Sequence, residues 1–121
     1  MLKIVDLLAL LFYCGFIYHL SDQPSLPVPQ LFEHQDKVHH LLAYFTMGVL
    51  AWRGFRHYIT AAPLLMAASV AFCSLYGISD EWHQSFVDGR TADALDWLAD
   101  TIGATIAAVI LSCFSSYPKP N

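Results

Sequence analysis

The chain has 121 residues, of which 56% are hydrophobic and only 13% charged, with a formal net charge of −4. A soluble domain carries about 25% charged residues, so this composition points to a membrane protein. Six lysines and arginines make no basic stripe, which excludes nucleic acid as a partner.

Residues 4–20 are the first apolar run, broken only by Asp6, and sit at the short end of what crosses a hydrocarbon core. Lys3 suits the start of a signal peptide. No small-x-small cleavage pattern follows, so a retained transmembrane helix is expected. Residues 21–36 form a loop in which Pro24, Pro27 and Pro29 cannot donate backbone hydrogen bonds. Such a segment belongs outside the hydrocarbon.

Asp36 is placed to open the second helix, 37–55, as its N-cap, and Arg53, Arg56 and His57 close it at the negative end of the dipole. The third helix is expected over 59–84, with Pro63 near its start. Asp88-Gly89 marks a turn, after which Thr91 and Asp93 are cap candidates for a fourth helix over 93–114, interrupted by Asp96 and Asp100. Residues 115–121 form a polar tail with two prolines, expected to fray.

The sequence contains no repeat, low-complexity tract or second domain. The expected fold is an all-α membrane protein, a four-helix transmembrane bundle in a single domain over 1–121. Cys14, Cys73 and Cys113 lie in apolar runs without a CxxC and are read as small buried residues, not as a disulfide or zinc set. Trp82, Trp97 and Tyr76 suit an interfacial aromatic belt, and Gly48 and Gly103 suit close helix packing.

With the N-terminus in the cytoplasm, Lys3, Arg53, Arg56 and Lys119 fall inside while Lys37 and Arg90 fall outside, an excess inside that the positive-inside rule favours. An even number of spans then brings four helix ends to the outer face: the end of the first, the start of the second, the end of the third and the start of the fourth. His19, Asp36, Lys37, His40, Tyr44, Asp80, Glu81, His83, Gln84, Asp93 and Asp96 all lie at or near those ends. Spacing by three and four aligns Asp36, His40 and Tyr44 on one helix face and Asp93, Asp96 and Asp100 on another. Asp80, His83 and Gln84 share a third face. Asp100 lies on the order of 10 Å below Asp93 along the helix. A charge at the bilayer centre costs about 2.5–3.5 kcal/mol, so Asp100 faces the bundle interior or a wet cavity, or is protonated.

At these residues the chain resembles the VanZ family of membrane proteins, named for a protein linked to teicoplanin resistance. Asp36-Lys37-x-x-His40-x-x-x-Tyr44 is similar to the motif that opens the family's second helix. Asp80-Glu81-x-His83-Gln84 followed by Gly89-Arg90 is similar to its central motif. Asp93-x-x-Asp96 with Gly103 resembles the start of its last helix. Asp100 departs from the asparagine expected there. The resemblance implies an integral membrane protein of the cell envelope, with a link to glycopeptide resistance but no settled reaction.

Two functions from different classes follow. The first is an enzyme acting on an anionic amphiphile, a phospholipid or a lipid-linked cell-wall precursor. Arg90 and Lys37 would hold the anion, with Tyr44, Gln84, Asp36 and Asp93 completing the binding site. Asp80 or Glu81 with His83, and His40 with Asp96, would move protons. No GxSxG or similar nucleophile signature occurs, so activated water is the simplest route. The second is a binder or modulator with the same pocket and no proton transfer. A self-contained transporter is a poorer fit to four short helices. The histidines and carboxylates have no fixed metal-ligand spacing, so ion pairs rather than a metal are expected and no cofactor is implied.

Overall fold

A computed structural model of the chain describes residues 1–115; the tail 116–121, with Lys119 and both prolines, lies outside the described residues. Four helices follow one another: α1 Leu2–Ser21, α2 Gln35–Phe55, α3 Ala62–Gln84 and α4 Ala94–Phe114. No strand occurs among the described residues. α1, α3 and α4 are each long and apolar enough to cross a membrane. α2 is more polar, and it packs against all three others, most extensively against α4.

Side chains are sorted in the sense a membrane imposes. Phe12, Leu11, Leu64, Leu75, Ile78, Leu98 and Ile102 lie exposed on the outside. Asp6, Ser69, Asp80, Glu81, Asp96 and Asp100 are buried inside. Hydrocarbon tolerates the first set, and charged groups survive in a bilayer only when they face protein or a wet cavity.

Close packing comes from small residues. A Cβ on Gly103 would collide with the Leu41 carbonyl oxygen, and one on Gly48 would stand 3.0 Å from the Ala104 Cα. Any side chain at Gly103 forces α2 and α4 apart, so this pair is the tightest seam of the bundle. Ala104, Ala107 and Ala108 continue it, fully buried.

Two helix starts differ from expectation. α3 begins at Ala62, which leaves Pro63 inside the first turn. A start at residue 59 would demand a backbone N–H that Pro63 lacks. α2 begins at Gln35, after His34 in a left-handed conformation with φ 60° and no side-chain cap. Asp36 is therefore not the N-cap. It sits exposed in the first turn, where a carboxylate still meets the positive end of the dipole. Gln35 does the local work instead: its Oε1 accepts from the Leu31 N–H at 2.7 Å, and its Nε2 donates to the Pro29 carbonyl at 3.0 Å. Asp93 does cap α4, accepting from the Leu95 N–H at 2.8 Å.

Cys14 and Cys73 are buried, whereas Cys113 is exposed near the end of α4. Of the expected belt aromatics, Trp82 is exposed but two turn inward. Tyr76 donates its hydroxyl to the Cys14 carbonyl, and the Trp97 indole donates to the Ser74 carbonyl at 3.1 Å.

At the end of the bundle where α1 begins, buried Asp6 joins α1 to α2. Arg53 donates to its Oδ1 at 2.9 Å through the terminal nitrogen, and His57 Nε2 lies 2.8 Å from its Oδ2. In sequence Asp6 is merely the break in an apolar run.

Candidate functional site

The other end gathers what the parity of the helices predicts. Lys37, on the first turn of α2, points its ammonium at α4. Nζ lies 2.8 Å from Asp36, 2.7 Å from Asp93 and 2.7 Å from Asp96. An ammonium has three donors, and three carboxylates surround this one. The Lys37 hydrogen bond and the Leu95 N–H hold the Asp93 carboxyl below the usual carboxylate range.

One turn deeper, His40 bridges the same two helices. Its Nδ1 lies 2.7 Å from Asp100 Oδ1, and its Nε2 is 3.7 Å from Asp96 Oδ2. Asp100 is fully buried. Gly77 of α3 makes room for it, since a Cβ there would stand 2.9 Å from Asp100 Oδ2. Another turn deeper, buried Tyr44 donates its hydroxyl to Asp80 of α3 at 3.1 Å. The expected stacking of His40 and Tyr44 on one face of α2 thus places two α2 side chains against acids from two different helices.

Glu81 ties α3 to the start of α4. Its Oε2 accepts from the Asp93 N–H at 2.9 Å, while its Oε1 is buried without a partner. His40, Asp80, Glu81 and Asp100 each bring one nitrogen or oxygen atom to within 4.8 Å of the others.

Three of the expected residues turn toward α1 instead. His83 stacks on Tyr18, with ring centroids 4.3 Å apart, and its Nε2 lies 3.1 Å from Asp22 Oδ1. Gln84 donates weakly to the Ser21 hydroxyl at 3.4 Å. Arg90 donates through Nε to the Gln23 carbonyl at 2.7 Å and through a terminal nitrogen to the Leu20 carbonyl at 2.9 Å. It thereby ties the segment after α3 to the end of α1 and the residue just beyond it. Gly89, at φ 85°, supplies the turn that aims it there, with its Cα side packed against Pro24.

A cleft of about 100 Å³ opens between α1, α2 and α3, with apolar walls from Ile17, Leu20, Leu26 and Ala43. His40, Tyr44, Asp80 and Arg90 also line it. A second, larger depression on the loop side, of about 310 Å³, is shared by Asp36, His40, Arg90, Thr91, Asp93 and Asp96. His40, Gln84 and Arg90 border both.

Comparison with known proteins bears on this arrangement. The family model VanZ/LLP1 matches residues 6–115. The chain belongs to the VanZ/LLP1 family. No curated protein and no solved structure matches. The match starts at Asp6 and so includes α1, which the quoted motifs leave out. In this VanZ/LLP1 chain α1 contributes Ser21, Asp22 and the Leu20 carbonyl to the surroundings of His83, Gln84 and Arg90. Asp22 and Gln35 are the polar residues that the motifs do not reveal. Their signal is faint, because a loop rich in proline and polar residues attracts no attention to any one of them.

Proposed function

We propose that this VanZ/LLP1 protein binds an anionic amphiphile of the cell envelope and acts on it by acid–base chemistry. The candidates are a phospholipid or a lipid-linked cell-wall precursor. In this reading the protein is a multi-pass protein of the cytoplasmic membrane, with both termini cytoplasmic and the cleft on the outer side. The observation that carries the reading is the pairing of an apolar-walled cleft with a polar floor of His40, Asp80 and Arg90. An acyl chain suits the walls, and an anionic headgroup suits Arg90. A guanidinium has five donors. The carbonyls of Leu20 and Gln23 engage two of its nitrogens, which leaves N–H groups for a ligand.

Glu81 is the preferred base, because one of its oxygens is held by the Asp93 N–H and the other is unpartnered. His40 would pass the proton on toward Asp100 or Asp96. Lys37 holds Asp36, Asp93 and Asp96 in register and steers the anion through its field more than by direct contact. His83 and Gln84 would shape the α1 side of the cleft.

A second reading, a non-catalytic binder or modulator tied to glycopeptide resistance, is favoured by one observation. Lys37 is already matched by three carboxylates, as a structural network would be. Mass spectrometry of the protein purified in native-like lipid separates the two. A co-purified anionic lipid that is converted on incubation by wild type, and bound but not converted by Glu81→Gln, supports the enzyme. A bound lipid left unchanged by both supports the binder, and no bound lipid rejects the anionic-amphiphile reading.

A further inference from the structure

We infer that His40, Asp80, Glu81 and Asp100 form a binding site for one divalent cation of the Mn²⁺ or Zn²⁺ type. Helical spacing alone points to ion pairs, because no two of these residues stand in a familiar ligand motif. The fold brings them together from three helices, with their donor atoms within 4.8 Å of one another. Donors on one such ion lie about 2.0–2.2 Å from it, so opposite donors stand at most about 4.4 Å apart. Small side-chain rotations close the difference.

Acidic clusters are common, and a second observation sets this one apart. Glu81 is 8% exposed and Asp100 is 0% exposed, yet Glu81 Oε1 and Asp100 Oδ2 have no hydrogen-bond partner. Buried carboxylate oxygens are expected to be satisfied, and each exception calls for an explanation such as an ion. The nearby cations do not provide one. Lys37 is surrounded by Asp36, Asp93 and Asp96, and Arg90 is turned to the carbonyls of Leu20 and Gln23. Asp80, Glu81 and Asp100 are left with the Tyr44 hydroxyl, the Asp93 N–H and His40. A dication offsets this charge where protein groups do not.

The surroundings also suit a metal. Ligand side chains are usually oriented by outer partners. Here Tyr44 donates to Asp80, the Asp93 N–H donates to Glu81, and His40 Nε2 faces Asp96 at 3.7 Å. Three carboxylates and one imidazole favour Mn²⁺ or Zn²⁺ over the all-oxygen preference of Ca²⁺. Entry is open from the cleft that His40 and Asp80 line.

The test uses the full chain in phosphatidylcholine nanodiscs, whose headgroups carry no net charge. After EDTA treatment and desalting, MnCl₂ is titrated and free Mn²⁺ is followed by electron paramagnetic resonance. One saturable site per chain is expected, with Zn²⁺ competing for it. Glu81→Gln and Asp100→Asn should each weaken it at least tenfold, while Asp88→Asn, an exposed carboxylate outside the cluster, should bind as wild type does. Wild type should also melt at a higher temperature in saturating Mn²⁺ than in EDTA, which keeps the test decisive if a variant misfolds. Absence of saturable binding by folded wild type overturns the proposal. So does unchanged binding by both folded cluster variants. The assay contains no anionic lipid, so its outcome is independent of the lipid proposal.

Discussion

The two ends of the bundle treat their carboxylates in opposite ways. Near the start of α1, Asp6 stands alone and both its oxygens are taken, one by Arg53 and one by His57. At the other end, Asp36, Asp80, Glu81, Asp93, Asp96 and Asp100 share one lysine and one histidine, and Glu81 and Asp100 each keep an unpartnered oxygen. Balanced charge fastens helices together. Unbalanced charge opposes folding and is retained where something else must be bound or moved. The difference separates a fastening from a site without any appeal to motifs.

Four experiments break or sharpen that contrast. The largest effect is expected for Glu81→Gln, which keeps shape and hydrogen bonding but removes the carboxylate that acts as base or, with the cation bound, as its ligand. Conversion of a bound envelope lipid should fall about 10²–10⁴-fold, as loss of a general base does, with the thermal midpoint unchanged or raised. A fall in midpoint without loss of conversion would make Glu81 part of a fastening. Next comes Asp6→Ala, which leaves Arg53 and His57 without their shared partner. It should lower the midpoint more than any single acidic-to-amide change at the other end, and leave lipid and metal binding intact. If binding is lost with the fold intact, the two ends are coupled and the contrast is too simple.

Tyr44→Phe removes one hydroxyl between α2 and buried Asp80. It should cost about 1–3 kcal/mol in chemical denaturation, the range for leaving a buried acceptor unsatisfied. The smallest effect is at Asp93. Its carboxyl is held below the usual range by Lys37 and the Leu95 N–H, so the ionised form is the one the fold favours. That contribution is complete above the ordinary carboxylate pKa and disappears as pH falls through the lowered one. Melting curves of Asp93→Asn should therefore lack part of the acid limb seen in wild type, and identical limbs would refute the assignment.

Much of the fold was legible because its signals are local. Apolar runs, the prolines of the first loop and Asp88-Gly89 mark the helices, and an even number of spans predicts which ends meet. Helical spacing also identified faces, as His40 with Tyr44 and Asp93 with Asp96 and Asp100 show. It did not fix how each helix is rotated against its neighbours. That is why Arg90 could look like a free anion grip, although it is half committed to the carbonyls of Leu20 and Gln23. It is also why His83, two residues from Glu81, lies against Tyr18 and Asp22 rather than with His40. The Asp6–Arg53–His57 fastening joins residues 47 and 51 positions apart, and nothing local announces it. For Asp100, the cost of a charge at depth pointed to the interior, but only packing supplies its partner.

The seam at Gly103 has a consequence for how the protein is made. Among the described helices α2 alone lacks the apolarity of a free-standing span, and its polar face is covered largely by α4, which is made after it. While α3 is being synthesised, His40 and Lys37 have no acids of α4 to meet. A chain that has not yet reached residues 94–114 therefore leaves that face of α2 without its partner helix. A bulky residue at position 103 would keep α4 from closing over α2, so the seam decides whether that polar face is covered as well as how tightly the finished bundle packs.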